Sequence, residues 1–365
     1  MAGEDLTSAE LAAPPKPPLP ADDVRRPQLE AFTDEVTAAT WKLGLRSWFW
    51  GEGVCLLGML RTAEARGLEP PQPVLDFLTD HAAAGITLEH VNNLAPGTAA
   101  AVAAAATGRD DLRAIVADCL AWLEGPARPS RSSNGALEHW PGGVWADTVF
   151  MAGLFLLHAG RLLGREDLVA EAVRQWVAHA EVLQNPSTGL MAHGSHREET
   201  IWCFWGRANA WIALAGVELC EHAGAAPAAG EVADRLRRQL TALAACQPEH
   251  GVWDVLVDGQ PENRGILETS AAAGIGAAML RAARCLPLPP DEAAALHRSG
   301  SLAVRGALAY LDAGMLTRVS AGTVLQLVPF GYSVIRDDRP QPWGQGLSLH
   351  ALAAAINADL AGPAS

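Results

Sequence analysis

Residues 99–106 of this chain read AAAVAAAA, and residues 166–176 read EDLVAEAVRQW. The first stretch is small and apolar on every side, which is typical of a helix that is buried all round. The second places Leu, Val, Ala and Trp at helical spacing among charged residues, which is typical of a helix with one face in water. The two kinds of helix alternate along the chain, and this alternation decides the fold.

Helical periodicity predicts twelve helices in strict alternation. They cover residues 29–40, 51–66, 72–83, 95–107, 109–124, 147–163, 166–184, 205–223, 228–246, 266–285, 290–313 and 346–361. The odd members are amphipathic and the even members are apolar, so six outer and six inner helices pair into six helical hairpins. We therefore predict an all-α fold, an (α/α)6 barrel that spans residues 29–365 as a single domain. An open superhelical solenoid is the alternative, and residues 320–340 are expected to be extended.

The first 28 residues differ from the rest of the chain. The proline-rich run at residues 13–21 reads APPKPPLPA, which cannot hold a helix and offers few apolar side chains for packing. We expect residues 1–28 to form a disordered or loosely attached arm. The first six residues, MAGEDL, lack the basic and apolar segments of a secretory signal.

Composition excludes several classes of function. The chain has 27 Lys and Arg against 41 Asp and Glu, a formal charge of −14, so it lacks the basic field that nucleic acid binding requires. No apolar run approaches the roughly 18 residues of a membrane span. The six cysteines show no CxxC spacing, so we expect reduced thiols in a cytoplasmic protein. No motif indicates a metal or another cofactor.

Tryptophan gathers just before predicted helix starts. The chain has 12 Trp against 2 Tyr and 7 Phe, and seven of the Trp occupy such places: Trp48, Trp50, Trp140, Trp145, Trp202, Trp205 and Trp343. A flat apolar ring with an N–H donor suits a sugar ring. In the predicted barrel the inner helices all point the same way, so these residues and six positive helix termini meet at one end. The sequence therefore predicts a carbohydrate site that attracts an anionic ligand.

Seven motifs follow one another along these helix starts. They are WGEGV (50–54), EHVNNLAPG (89–97), WADTVFM (145–151), WGRANAW (205–211), LETS (267–270), SAGT (320–323) and WGQG (343–346). With these motifs the chain resembles, over roughly residues 40–360, the unsaturated glucuronyl and rhamnogalacturonyl hydrolases of glycoside hydrolase families 88 and 105. The resemblance implies an (α/α)6 barrel that removes a 4,5-unsaturated uronic acid from the non-reducing end of oligosaccharides. In that chemistry an acid protonates C4 of a vinyl ether, and water adds at C5.

The resemblance also implies roles for polar residues. Asp147 matches the family's acid and base, although an Asp at a helix start is also a common N-cap. Glu89 matches a second carboxylate that is Asp in the family. His193 matches a histidine near the substrate. Arg207 suits a bidentate pair with a uronate carboxylate, and its alternative is a salt bridge to Glu268 or Asp147.

Aromatic residues complete the predicted site. Trp205 and Trp211 are candidates for stacking against the sugar ring or for holding the barrel wall. Trp50 and His139 are further candidates for substrate contact. Weaker candidates, each of which could equally cap a helix or brace a loop, are Glu52, Asn93, Arg264 and Arg336.

Two other functions stay open at this point. Another carbohydrate-active enzyme on the same barrel would need a different catalytic set, and no second His or Tyr base is placed by a motif. A diverged barrel that binds a sugar acid or another protein without catalysis is favoured by Glu89, since the family has Asp there. The sequence predicts no oligomeric state.

Overall fold

The computed structural model describes residues 14–335, 339–358 and 360. Its helices are α1 (Arg26–Lys42), α2 (Trp50–Ala65), α3 (Gln72–Ala84), α4 (Leu94–Thr107), α5 (Asp110–Glu124), α6 (Leu154–Leu163), α7 (Glu166–Leu183), α8 (Gly206–His222), α9 (Ala229–Ala245), α10 (Thr269–Cys285), α11 (Pro290–Leu308), the short α12 (Pro329–Val334) and α13 (Pro342–Ala358). A π-helical turn at Val149–Gly153 leads into α6. Two antiparallel ribbons pair β1 (Gly194–His196) with β2 (Glu199–Ile201) and β3 (Leu311–Asp312) with β4 (Met315–Leu316).

The inner helices form a closed ring. In chain order α2, α4, α6, α8, α10 and α13 each pack against the next, and α13 packs back against α2. The helices α1, α3, α5, α7, α9 and α11 lie outside this ring, for example α11 against α10 and α1 against α13. The predicted (α/α)6 barrel is confirmed, and the closure of the ring excludes the open solenoid.

Burial follows the composition of the two kinds of helix. Residues 94–101 of α4 and 344–356 of α13 are buried without exception. In the outer helix α7, Leu168 and Trp176 face the core while Glu166 is exposed. Each fully buried Leu or Val contributes about 1.5–3 kcal/mol, so the apolar faces hold each hairpin onto the ring. No helix in the described ranges combines the length and the apolarity needed to cross a membrane.

Glycines let the inner helices approach to backbone contact. A Cβ atom added at Gly58 of α2 would lie 2.8 Å from the carbonyl oxygen of Gly346 in α13. One added at Gly53 of α2 would lie 2.6 Å from the carbonyl carbon of Ala95 in α4. Real Cβ atoms do not approach so closely, so a side chain at either place would push neighbouring helices apart.

The described part of the amino-terminal segment is not a loose arm. The backbone N–H of Leu19 donates to the Arg305 carbonyl at 3.2 Å, and the Arg305 guanidinium returns a bond to the Leu19 carbonyl at 2.9 Å. The Lys16 N–H donates to the Tyr310 hydroxyl at 2.7 Å. The expectation of a disordered or loosely attached arm is therefore corrected for residues 14–28, because backbone groups of this proline-rich chain bond to Arg305 in α11 and to Tyr310 just beyond it. Residues 1–13 lie outside the described part.

Several element boundaries differ from the prediction, and three regions serve as examples. Helix α1 begins at Arg26 instead of residue 29, with a proline in its first turn, where no backbone donor is needed. The helix predicted for residues 290–313 ends at Leu308, because Leu311–Asp312 pairs with Met315–Leu316 in a ribbon. Residues 320–340, expected to be extended, contain α12 in their described part.

Buried charges close the end of the barrel formed by the carboxyl termini of the inner helices. Arg61 and Arg281 donate to opposite oxygens of Glu218, and His158 Nε2 lies 2.9 Å from Glu218 Oε1. Burial raises the pKa of Glu218, but the charges of Arg281 and Arg61 outweigh it and hold that pKa well below its usual range. A cavity of about 490 Å³ opens beside this cluster.

Replacing the glycine at the contact between α2 and α13 tests the packing of the ring. We expect Gly58→Ala to lower the free energy of unfolding by about 1–3 kcal/mol, the usual cost of overpacking. Urea unfolding followed by circular dichroism measures the change. Gly230→Ala in α9 is the matched control, because a Cβ there meets open space. The control should be unchanged or more stable by up to about 1 kcal/mol, and a Gly58→Ala variant as stable as the native protein would contradict the analysis.

Candidate active site

The amino ends of several inner helices meet at one end of the barrel, as the sequence predicts. Trp50 at the start of α2 stacks on Trp343 at the start of α13, with ring centroids 4.4 Å apart. Trp211 of α8 meets Trp50 edge-on at 6.3 Å. The guanidinium of Arg207 lies 4.3 Å from the ring centroid of Trp205. These contacts join three inner helices around one site.

Asp147 lies at the start of the helical segment that continues through the π-helical turn into α6. The Ala146 N–H donates to the His193 carbonyl at 2.9 Å, and Trp145 forms a β-bridge with Gly194. This pairing brings Asp147 Oδ2 to 3.5 Å from His193 Nε2. No side-chain hydrogen bond caps the turn, and Oδ2 has no hydrogen-bond partner in the described ranges. The structure therefore does not show the N-cap considered as the alternative for Asp147.

The pKa of Asp147 results from opposing effects. Burial raises it, whereas the contact with His193 and the positive charges around the carboxylate lower it, and the net pKa lies below its usual range. Burial lowers the pKa of His139 to about 3, so His139 carries no charge near neutral pH. Near neutral pH, the lowering of the Asp147 pKa therefore comes from His193 and Arg207. Asp147 is a carboxylate in the unliganded protein.

His193 is fully buried among aromatic rings. Its ring centroid lies 4.4 Å from that of Trp205 and 5.4 Å from that of Trp145. Nδ1 lies 2.7 Å from the hydroxyl of Tyr332, and Nε2 faces Asp147. The ring thus connects the carboxylate to a tyrosine of α12.

Arg207 is fully buried and held by protein groups. Its Nη1 donates to Ser320 Oγ at 2.7 Å and lies 3.3 Å from Glu268 Oε2, and its Nη2 donates to the Ala321 carbonyl at 2.6 Å. Glu268 also accepts the Ser270 N–H at 3.2 Å. Burial lowers the pKa of Arg207 to about 10, against the opposing charge of Glu268. The salt bridge to Glu268, named as an alternative from the sequence, is the one that the structure contains.

Several buried polar atoms at this end lack a hydrogen-bond partner within the described part of the chain. They are Asp147 Oδ2, His193 Nε2, Trp205 Nε1, Arg207 Nε and Trp211 Nε1. Buried polar groups are normally satisfied, so such a group of atoms marks a place for a ligand or ordered water. Four nitrogens beside one carboxylate suit a ligand with hydroxyl and carboxylate oxygens.

The predicted aromatic residues occupy two kinds of position. Trp205 and Trp211 are almost fully buried, so their rings form the wall of the site. Trp50 is partly exposed at the opening. His139 is buried and stacks on Trp145, with centroids 4.7 Å apart and planes 10° apart. His139 therefore supports the Trp145 ring directly.

The structure does not bring Glu89 into contact with Asp147. Glu89 is exposed, and its backbone N–H donates to Asn93 Oδ1 at 3.1 Å. In the described ranges its side chain forms no ion pair. The buried carboxylate that accompanies Asp147 in this end of the barrel is Glu268.

The weaker candidates mostly brace loops. Asn93 Nδ2 donates to the Trp48 carbonyl at 2.9 Å, and Glu52 accepts the Ser47 N–H at 3.1 Å. Arg264 is exposed. Arg336 lies outside the described residues.

Two contributors to the site were not predicted as such. Tyr332 stands in no motif, and its only signal was the scarcity of tyrosine in a chain that has two. Ser320 stands in the SAGT motif but was assigned no role, although it binds both Arg207 and Glu268. Both lie far along the chain from their partners, so no local spacing points to them.

The described residues contain one group of His and acidic side chains close enough to hold a metal ion. It comprises Glu218, Glu221 and His222, at the carboxyl-terminal end of the ring. Arg281 donates to both glutamates. This group is separate from the site around Asp147.

Comparison with known proteins agrees with the barrel. The model of glycosyl hydrolase family 88 matches residues 24–358. The unsaturated rhamnogalacturonyl hydrolase YesR of Bacillus subtilis is 31% identical over 343 residues, 89% of this chain and 94% of that protein. The structure of a possible member of family 105 from Salmonella enterica has a TM-score of 0.79 at 25% identity, covering 91% of this chain and 94% of that one. Unsaturated glucuronyl hydrolase from Bacillus sp. GL1 has the same fold, with a TM-score of 0.70 at 18% identity over 90% of this chain and 96% of that one. The chain belongs to glycosyl hydrolase family 88 and is a glycoside hydrolase.

Proposed function

We propose that this protein removes a 4,5-unsaturated uronic acid from the non-reducing end of an oligosaccharide. The observation that carries the proposal is Asp147, a carboxylate with a side chain 15% exposed, whose buried Oδ2 has no hydrogen-bond partner in the described ranges and lies 3.5 Å from His193. It stands among tryptophan rings at the positive ends of the inner helices. The family and the name of its relative YesR support an unsaturated uronic acid as the substrate class.

The reaction is a hydration of a vinyl ether. Protonated Asp147 transfers its proton to C4, and the ring oxygen stabilises the cation that develops at C5. Water attacks C5 and returns a proton to the Asp147 carboxylate, so the acid is regenerated. The product is a hemiketal at C5, which opens the ring and then expels the remaining sugar from C1. One Asp is sufficient for both proton transfers.

The substrate itself helps Asp147 to act as an acid. Its pKa is below the usual range in the free protein, so the carboxyl group is ionised there. A uronate carboxylate bound nearby and the loss of local water both favour the neutral form of Asp147. We infer that the substrate binds together with a proton from solvent.

Recognition of the sugar acid uses the unsatisfied donors and the aromatic wall. The indole N–H groups of Trp205 and Trp211 lack partners in the described ranges, and a ligand with oxygen atoms would satisfy them. The overall charge of −14 does not oppose an anionic ligand here, because exposed charges are screened beyond about 8–10 Å. Helix amino termini supply the local positive field.

The non-catalytic sugar-acid-binding barrel that the sequence left open is opposed by membership of a glycoside hydrolase family. The observation that favours it is the exposure of Glu89, which stands in place of the family Asp and has no contact with Asp147. Another carbohydrate-active enzyme on the same fold is the other alternative, and it lacks a comparable observation in its favour. Incubation with a lyase-generated unsaturated disaccharide separates hydrolysis from binding, since hydrolysis removes the ultraviolet absorbance of the conjugated double bond.

We further propose a cytoplasmic protein whose partner is a small oligosaccharide. All six cysteines are free, and burial raises the pKa of several of them, to about 12 for Cys119 and Cys220 and to about 11 for Cys203 and Cys285. Free thiols that form no disulfide are typical of proteins in a reducing compartment.

Asp147→Asn removes the transferable proton and keeps the shape of the side chain. We expect turnover of an unsaturated disaccharide to fall at least about 100-fold, because general acid–base catalysis contributes 10²–10⁴. Absorbance decay measures turnover, and urea unfolding shows whether the fold is retained. Asp111→Asn is the control, since Asp111 also lies at a helix start but binds only Arg109 and the Leu112 N–H. Full activity of a folded Asp147→Asn variant would refute the catalytic role.

Glu89→Gln belongs to the same experiment. Glu89 is exposed and its side chain forms no ion pair in the described ranges, so the variant should lose less than about threefold in turnover. A loss of that size corresponds to a fraction of a kcal/mol, as expected for a surface substitution. A loss as large as that of Asp147→Asn would instead establish Glu89 as a second working carboxylate.

Proton uptake tests the proposed change in protonation of Asp147. Calorimetric titration with glucuronic acid in buffers of different ionisation enthalpy should show uptake of a fraction of a proton near neutral pH. A depressed pKa in the free protein also means that kcat/KM should decline as pH rises, because ever less protonated Asp147 is present. Asp147→Asn should abolish the uptake, and uptake that persists in this variant would assign the proton to another group.

Arg207 is expected to support the site from the interior. Arg207→Gln leaves the buried Glu268 without its cation, so the free energy of unfolding should fall by about 3–5 kcal/mol. The double variant with Glu268→Gln should regain part of this loss. Urea unfolding of the two single variants and the double variant should give an interaction energy of about 0.5–3 kcal/mol between the two side chains. A direct substrate contact would instead raise KM with little change in stability.

A further inference from the structure

Tyr332 ties α12 to the candidate active site. It is one of two tyrosines in the chain and is fully buried. Its hydroxyl has two neighbours in the described ranges, His193 Nδ1 at 2.7 Å and the backbone N–H of Gln326 at 3.4 Å. The buried Asn263 donates to the Pro329 carbonyl at 3.0 Å and so anchors the start of α12.

The placement of protons follows from these two contacts. The Gln326 N–H can only donate, so it occupies a lone pair of the Tyr332 oxygen. The phenol proton then has a single acceptor within the described part of the chain, His193 Nδ1. Because a neutral imidazole has one donor and one acceptor nitrogen, Nε2 carries the ring proton. Nε2 is the atom that faces Asp147 Oδ2.

We propose that Tyr332 is a positioning residue that holds His193 in the tautomer with its proton on Nε2, and so directs an N–H at Asp147 Oδ2 from a distance of 3.5 Å. The phenol is well suited to this task, because burial raises the pKa of Tyr332 well above its usual range and keeps the hydroxyl proton in place. The proposal rests on the proposed function for its catalytic meaning. The tautomer itself can be observed without any turnover.

The tautomer matters at both proton transfers. After Asp147 gives its proton to C4, the new carboxylate receives the Nε2–H, and a bond to a charged acceptor is stronger than one to a neutral acid. Asp147 is therefore a stronger acid than it would be beside a bare ring nitrogen. The same donor orients the carboxylate while it accepts a proton from the attacking water.

Several ionisable groups face this pair. His193, His139 and Arg207 act on Asp147, and Cys203 and Asp147 act on Tyr332. Burial raises the pKa of Cys203 to about 11, and burial lowers that of His139 to about 3, so neither changes charge near neutral pH. The response to loss of the phenol hydroxyl should then arise from the tautomer of His193 and from the acidity of Asp147.

Nitrogen NMR of the histidine rings in the full-length protein gives a direct test. His193, assigned with a His193→Gln variant, should show a pyridine-type Nδ1 and a protonated Nε2. In Tyr332→Phe the ring should populate the Nδ1-protonated form as well. A protonated Nδ1 in the native protein would overturn the proposal whether or not the protein hydrolyses sugars, so this outcome is distinct from failure of the proposed function.

Kinetics of the same variant provide the second test. Without the hydroxyl, Asp147 becomes a weaker acid with a higher pKa, so the plateau of kcat should fall about tenfold, which corresponds to 1.36 kcal/mol. The alkaline limb of the kcat profile should move to higher pH, and KM should change less than twofold. Tyr310→Phe is the matched control, because Tyr310 is also buried and accepts a backbone N–H, from Lys16, away from the site. An unchanged plateau and alkaline limb in a folded Tyr332→Phe variant would overturn the proposal.

Discussion

Backbone contact between glycine-bearing faces of the inner helices is the constraint on which this barrel depends. Gly53 and Gly58 of α2 touch α4 and α13 at distances that no side chain permits. Six helices can close a narrow ring only if neighbours approach this far, and the closed ring in turn aims all the inner amino termini at one place. The field of those termini, the aromatic wall and the position of Asp147 all follow from the closure.

The two ends of the ring treat a carboxylate in different ways. At the carboxyl-terminal end both oxygens of Glu218 are bound by arginine, although Arg61 Nε and His350 Nε2 there lack a hydrogen-bond partner in the described ranges. At the amino-terminal end Asp147 Oδ2 faces His193 without a hydrogen bond to the described residues. A fold retains unsatisfied buried groups where a ligand completes them. The unpartnered oxygen of Asp147 locates the chemistry better than cavity size does, because the open cavity of about 490 Å³ adjoins the end where the Glu218 carboxylate is bound by arginine.

The fold could be predicted from the sequence because helices such as α4 are apolar on every side. That property belongs to the helix's own residues and can be recognised without knowing its neighbours in the fold. The position of Asp147 was also predictable, since it stands directly before an apolar helix. The partners of Arg207 were named only as alternatives, and Tyr332 was missed, because its bond to His193 joins residues 139 positions apart. Contacts between residues so far apart in the chain leave no periodic pattern in the sequence. The bonds that join Leu19 to Arg305 and Lys16 to Tyr310 were missed for the same reason, since backbone groups of a proline-rich chain show no sequence pattern.

The π-helical turn at Val149–Gly153 carries a consequence for how this site is inherited. A π turn holds one more residue than the α turn that it replaces, and an α-helix rotates by about 100° per residue. The extra residue is absorbed within this one turn, so the segment that carries Asp147 and helix α6 keep their relative rotation on either side of it. Deleting one residue here would let the turn close as ordinary α-helix and would shift mainly the residues of the turn itself. A change of chain length by one residue at this point can therefore be inherited without turning Asp147 away from His193.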